Sequence, residues 1–199
     1  MKSETKGERT AQRILDAAEM LFARKGYNAA SLRDIAVLAG IHQPGLYNHF
    51  VSKEELYRAV LDRGLQPLVA LMGDLLDVPI PQAGMIELPG RMTDLLARHP
   101  NISALLMQSM RSTDDASVRI AQEWLDRLLD HGRQVNEASD FEGDAADLML
   151  RQIALFNLCC GYFWAEPLVT RLTGSSALSA DNLAAQKRIL ERIMRAFAS

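Results

Sequence analysis

Cysteine is scarce: there are two in 199 residues, adjacent at Cys159 and Cys160. Neighbouring cysteines cannot close a framework, so disulfide stapling is excluded and the pair reads as buried thiols in a reducing compartment. Residues 1–10 (MKSETKGERT) carry no apolar core, so no signal peptide is expected. The most apolar run, 148–164, is interrupted by Arg151, Gln152 and Asn157 and is short for a bilayer span. The expected location is the cytoplasm. Neither G-x-S-x-G, C-x-x-C nor H-E-x-x-H occurs, and the glycines form no phosphate-cradling loop. No catalytic constellation and no cofactor are therefore expected. Histidine is sparse too. His42 and His49 lie seven residues apart with no cysteine or carboxylate to complete a metal site, and His99 and His131 stand alone in surface or core roles.

What the chain does have is enough apolar material for a real core: 48% of it is hydrophobic and 24% charged. The length suits one large domain or a small module fused to a larger one. Net charge is -3, but unevenly spread. Residues 1–63 hold ten Lys/Arg against eight Asp/Glu, while the remainder holds twelve against seventeen. That asymmetry has the sign of an N-terminal anion binder.

Nearly every apolar pattern has helical spacing, and no strand or repeat stands out. Ala11, Ile14, Leu15, Ala18, Leu21 and Phe22 place an amphipathic helix over about 9–25, ended by Gly26 in a left-handed conformation. The charged N-terminus ahead of it reads as disordered. Ser31 with Asp34 resembles a capping box for a second helix to Ala39, and Gly40 ends it. Pro44 suits the first turn of a short third helix that stops near Phe50. Ser52 and Glu55 open a long fourth helix to the mid-70s, with Pro67 as a possible kink. Residues 77–90 (DVPIPQAGMIELPG) read as a Pro/Gly loop. Helices follow near 86–98, 101–112, 115–136, 144–165 and 181–197, with 167–180 as a connector. The fold class is all-α, with roughly nine helices.

The stretch AGIHQPGLYNHF (39–50) spends two His, a Gln, an Asn and a Tyr where a core gains little from them. Helix 31–39, a tight turn at 40–42 and helix 43–50 make a helix-turn-helix. Ile35, Ala36 and Ala39 can pack on Ile41, Leu46 and Phe50, which leaves Gln43, Pro44, Tyr47 and Asn48 outward on a helix that suits a major groove.

These residues resemble the TetR family, the tetracycline-repressor-like bacterial transcription regulators. The family pattern F-x-x-x-G-[YF] is met by Phe22, Gly26 and Tyr27. [ST]-x-x-x-I-A-x-x-A-G is met by Ser31, Ile35, Ala36, Ala39 and Gly40. G-x-LY-x-HF-x-[SN]K-x-x-L is met by Leu46, Tyr47, His49, Phe50, Ser52, Lys53 and Leu56. The match covers positions 17–61. His42 departs from the Ser or Thr of many relatives, and Gly45 from their Thr, Ser or Ala. The resemblance implies a homodimeric repressor released from DNA by a small molecule. It assigns residues 1–52 to DNA binding and 53–199 to ligand binding and dimerisation.

Within that reading Gln43 is the first choice for base contact, its amide matching adenine N6 and N7. Pro44 either meets a thymine methyl or simply starts the helix. Asn48 contacts base or phosphate, or faces solvent. Tyr47 anchors phosphate, or packs. Lys53 supplies a cation at a helix start, or is a surface lysine. Arg33 reaches guanine or phosphate, or stays a surface charge. Ser31 caps its helix and can touch phosphate. Gly45 gives up a base contact or lets phosphate come close. His42 belongs to the same surface, and His49 packs on the backbone or touches phosphate.

The run LMLRQIALFNLCCGYFW is apolar on nearly every side and must be buried all round, one face in its own core and the other against a second subunit or deep in a monomer. The resemblance implies dimerisation through the last two helices as a four-helix bundle, with Gly161 permitting close approach. It also implies an effector pocket in the C-terminal bundle. Met107, Met110, Trp124, Leu128, Phe156, Asn157 and Phe163 are candidates for a small, largely apolar ligand, ordinary core being the alternative. Asn157 stands out because an amide in an apolar helix needs a partner. Two rival readings remain: an enzyme on a helical bundle, which would need a catalytic constellation, and a protein-binding adaptor without DNA binding.

Overall fold

The computed structural model describes residues 5–77, 82–112, 115–138 and 144–197. Every regular element among them is helical: α1 (Lys6–Ala29), α2 (Leu32–Leu38), α3 (Gln43–Tyr47), α4 (Lys53–Leu76), α5 (Gln82–Leu96), α6 (Asn101–Ser109), α7 (Asp115–Glu137), α8 (Ala145–Trp164), α9 (Glu166–Thr173) and α10 (Ala180–Phe197). The chain divides into two compact units, Met1–Arg63 with Ala104–Glu123, and Gly64–Ser103 with Trp124–Ser199.

In the first unit, α1 begins earlier than its apolar periodicity suggests. Thr5 and Glu8 form a reciprocal capping box, with Thr5 N–H donating to Glu8 Oε2 at 2.7 Å and Glu8 N–H to Thr5 Oγ1 at 3.2 Å. The charge of this segment therefore serves a helix start; residues 1–4 lie outside the described residues. Gly26 interrupts the helix at φ +79°, the break its position foretells. The core gathers Ile14, Ala18, Phe22, Ile35, Leu46 and Leu56, all fully buried. Phe22, Tyr27 and Tyr57 pack as a triangle, with Tyr57 edge-on to each of the others at 5.1 Å.

In the second unit, two expectations fail, both at proline. Of the expected 77–90 loop, 78–81 lie outside the described residues and everything from Gln82 onward is helix: α5 starts there and continues through Pro89. Met85, Ile86 and Leu88 are buried there, and α10 and α8 pack along α5, so tertiary burial outweighs the local cost of proline. The Pro89 carbonyl accepts from the Thr93 hydroxyl at 2.8 Å and lies 3.9 Å from the Cys159 thiol. Likewise the expected 167–180 connector contains α9. Pro167 falls in its first turn and Gly174 closes it at φ +74°, so the proline marks a start rather than a gap. α9 turns 67° from α8. No single helix among the described residues is long and apolar enough to cross a membrane.

Gly64 on α4 meets Ile102 of α6 so closely that an added Cβ would sit 2.4 Å from Ile102 Cγ1. Ile102 is fully buried and cannot retreat into solvent. Gly64→Ala is expected to destabilise the protein by about 1–3 kcal/mol through overpacking, read as a lowered urea midpoint.

Cys159 and Cys160 are buried as expected. Burial raises both thiols from the ordinary value of 9.0 to about 12, and Cys160 adds to the effect on Cys159. The unfolded chain therefore releases these protons at lower pH than the native one, and stability is lost as pH rises from 9.0 toward about 12. We expect an aromatic disulfide reagent to leave both thiols untouched in native protein at pH ~8 and to titrate both after unfolding.

Candidate nucleic-acid interface

The turn between α2 and α3 is built by its backbone. Gly40 adopts φ +68°; Gly40 N–H donates to Val37 O at 3.0 Å and Ile41 N–H to Ala36 O at 3.0 Å. Together these bonds make a Schellman closure, and only glycine takes its left-handed position without strain. At the start of α2, Ser31 Oγ accepts from Asp34 N–H at 3.0 Å. The Asp34 side chain pairs with Lys25 at 3.1 Å instead of returning to the cap, and that hydrogen bond holds its carboxyl below the usual range. Ser31 is thus a cap whose hydroxyl is already engaged.

α3 is shorter than expected, ending at Tyr47 with Asn48 as its cap. It has His42 before it, Pro44 in its first turn and no side-chain cap. Leu46 is fully buried and Phe50 nearly so, which pins the short helix by one side. On the other side His42, Pro44, Tyr47 and Asn48 are exposed, while Gln43, Gly45 and His49 are half-buried. The polar side-chain groups of Gln43, Tyr47 and Asn48 make no hydrogen bond to any described residue. A Cβ at Gly45 would meet nothing within 4 Å, so no packing requires glycine there. Arg33 is exposed on α2 and makes no ion pair with a carboxylate among the described residues.

Lys53 is differently placed. Its ammonium donates to Asn28 O at 3.1 Å and lies 4.5 Å from the centre of the Tyr27 ring. It ties the start of α4 to the end of α1. Ser52 and Glu55 cap α4, with Glu55 N–H on Ser52 Oγ at 3.0 Å and Val51 N–H on Glu55 Oε2 at 2.5 Å.

The candidate ligand residues do not fall in one unit. Met107 and Met110 belong to the unit with the helix-turn-helix, and Met110 is exposed. Trp124, Leu128 and Phe163 are buried in the other unit, and Phe156 is half-buried. Asn157 is exposed on α8, so it is not a buried amide in want of a partner. Buried polarity sits elsewhere. Thr93 and Ser103 are fully buried, and Ser103 Oγ has the Cys160 thiol beside it but no oxygen or nitrogen partner among the described residues. A lone serine in the apolar stretch NISALLM was the available signal for it. No group of three or more His, Cys, Asp or Glu that could hold a metal occurs among the described residues.

These features define a helix-turn-helix protein. Residues 14–60 match the family described as bacterial regulatory proteins, tetR family. The HTH-type transcriptional activator FasR of Mycolicibacterium smegmatis is 48% identical over 63 residues, 32% of this chain and 28% of FasR. The HTH-type transcriptional repressor KstR2 of Mycobacterium tuberculosis is 42% identical over 64 residues, 32% of each chain. The chain matches less than a third of the length of these curated relatives. FadR, a transcriptional regulator from Bacillus subtilis solved in complex with stearoyl-CoA, shares the fold with a TM-score of 0.65 at 15% identity, over 92% of this chain and 96% of that one. The likeness to the tetR family is thus carried in sequence by residues 14–60, and beyond them by the shared fold.

Proposed function

We propose that this protein is a homodimeric regulator that binds a near-palindromic operator through α3, acts as a repressor and is released by a small molecule. The observation that carries the reading is α3 itself, buried by Leu46 and Phe50 and presenting Gln43, Tyr47 and Asn48 with their polar groups unspent. Two such helices enter successive major grooves about 34 Å apart. Gln43 and Asn48 read bases, Pro44 meets a thymine methyl, and Tyr47, Arg33, His42 and His49 position the backbone. Ser31 and Lys53 act mainly by holding the helix ends to which phosphate comes. Residues 1–52 bind DNA, and 53–199 bind ligand and partner.

Dimerisation uses the outward side of α8. Its exposed residues Ala146, Met149, Leu150, Ile153, Ala154, Asn157, Leu158 and Trp164 include no charge, and the half-exposed Asp147 is neutralised by Arg151 at 2.6 Å. Leu150, Ile153, Asn157 and Trp164 fall at intervals of three, four and seven, one stripe of a helix. Asn157 then meets its counterpart and fixes register. Gly161, where an added Cβ would meet nothing within 4 Å among the described residues, gives the second copy room.

The effector enters the apolar interior of the second unit, where the Ser103 hydroxyl, with only the Cys160 thiol beside it, offers one polar contact. A long acyl group fits that chemistry, and a regulator of this fold is known with stearoyl-CoA. By linkage, effector and operator weaken each other's binding by the same factor.

The test is a gel shift against the DNA upstream of the gene at two salt concentrations. Gln43→Ala is expected to lose about 1–3 kcal/mol on the correct site and little on random duplex. Equal losses on both would remove Gln43 from base reading. Absence of salt-dependent binding to any duplex would favour a protein-binding adaptor instead.

A further inference from the structure

α2 carries two apolar residues that no core claims. Val37 is 71% exposed and Leu38 48%, on a helix whose Ile35 and Ala36 are buried. With Met20 of α1, 42% exposed, they floor a shallow groove between α1 and α2 in the first unit. Its rim is cationic. Arg24 and Arg33 line it, and neither pairs with a carboxylate among the described residues. Asp34 lines it too, but its carboxylate is taken by Lys25 at 3.1 Å. Isolated exposed apolar residues are ordinary, whereas three that adjoin under a charged rim mark an interaction surface.

We propose that this groove docks an acidic amphipathic helix of a partner protein. The apolar floor takes the anchor side chains of such a helix, and the two guanidinium groups take its carboxylates. A second copy of this chain fits poorly, because pairing the groove with itself would set arginine against arginine. Duplex DNA fits Arg33, but phosphates gain nothing from Val37, Leu38 and Met20. Of its lining residues only Arg33 is shared with the DNA-binding reading; Met20, Arg24, Val37 and Leu38 have no part in it.

The probe is a synthetic helix-forming peptide of about 18 residues, with Leu and Phe on one face and Glu on the other. Its twin carries Lys in place of Glu. Fluorescence anisotropy and amide shift mapping on the full chain are the readouts. We expect the Glu peptide to bind at least about tenfold tighter than its twin, with shifts confined to the groove. Val37→Ser with Leu38→Ser should weaken it by about tenfold or more. Both positions are exposed, so unchanged helicity and melting show that the loss is local. Equal affinity for both peptides, or binding indifferent to the double substitution, overturns the proposal. So does self-association abolished by that substitution, which would make a second copy the occupant. Loss of duplex affinity without loss of peptide binding would assign the groove to DNA and also overturn it.

Discussion

Replacing Glu19 by alanine is expected to cost about 3–5 kcal/mol, far more than replacing its neighbour Asp16. Both carboxylates of α1 meet Arg63 of α4 at 2.6 Å. Their surroundings differ. The Glu19 side chain is 6% exposed and that of Arg63 14%, whereas that of Asp16 is 69% exposed. Removing Glu19 takes the carboxylate from Nη2 at the buried end of the guanidinium, beside an Nε that already lacks a partner, and leaves only Nη1 paired, with the exposed Asp16. Removing Asp16 exchanges a screened contact for water, at roughly 1 kcal/mol or less. Taking away both buried charges, Glu19→Leu with Arg63→Met, should restore most of the loss, because the penalty lies in the unpaired charge and not in the missing pair. Urea unfolding followed by helical circular dichroism checks all three variants. A loss from Glu19→Ala no larger than that from Asp16→Ala would show that water reaches Arg63 and that the pair is dispensable.

The second large effect lies on α8. Leu150→Glu with Ile153→Glu is expected to convert the proposed dimer to monomers and to lower operator affinity by about 10²–10⁴-fold, the range set by losing the second attachment. In the single chain the two side chains are 62% and 38% exposed, so the substitutions leave the chain's own core intact. In the dimer each would bring a carboxylate into an uncharged stripe twice over, at several kcal/mol per buried unpaired charge. Sedimentation and gel shift separate the two consequences. A variant that remains dimeric would move the interface away from α8, to the exposed Leu168 and Leu172 of α9 or Ile189 of α10.

The helix-turn-helix was legible because its signals are local. Gly40 needs its left-handed angle, Ser31 caps within one turn, and Pro44 sits where its missing N–H is harmless. Pro89 and Pro167 misled for a complementary reason. A proline states only what it cannot donate. Whether it lies within a helix, as in α5, or begins one, as in α9, is decided by packing or by capping further along the chain. Asn157 shows the same limit. In a sequence it looks buried because its neighbours are apolar, yet it stands on the exposed side of α8. The role of Lys53 was hidden because its partners, Tyr27 and the Asn28 carbonyl, lie 25 positions or more away along the chain. Conversely, nothing in the sequence sets Val37 and Leu38 apart, and only the fold shows them in solvent.

The most direct measurement is selection of bound duplexes from a genomic fragment library, with footprinting of the enriched sites. One near-palindromic sequence is expected, with half-sites protected on one face about 34 Å apart, and a wild-type preference that Gln43→Ala blurs. Enrichment of nothing, or of sites without twofold symmetry that the Gln43 substitution leaves untouched, would contradict it.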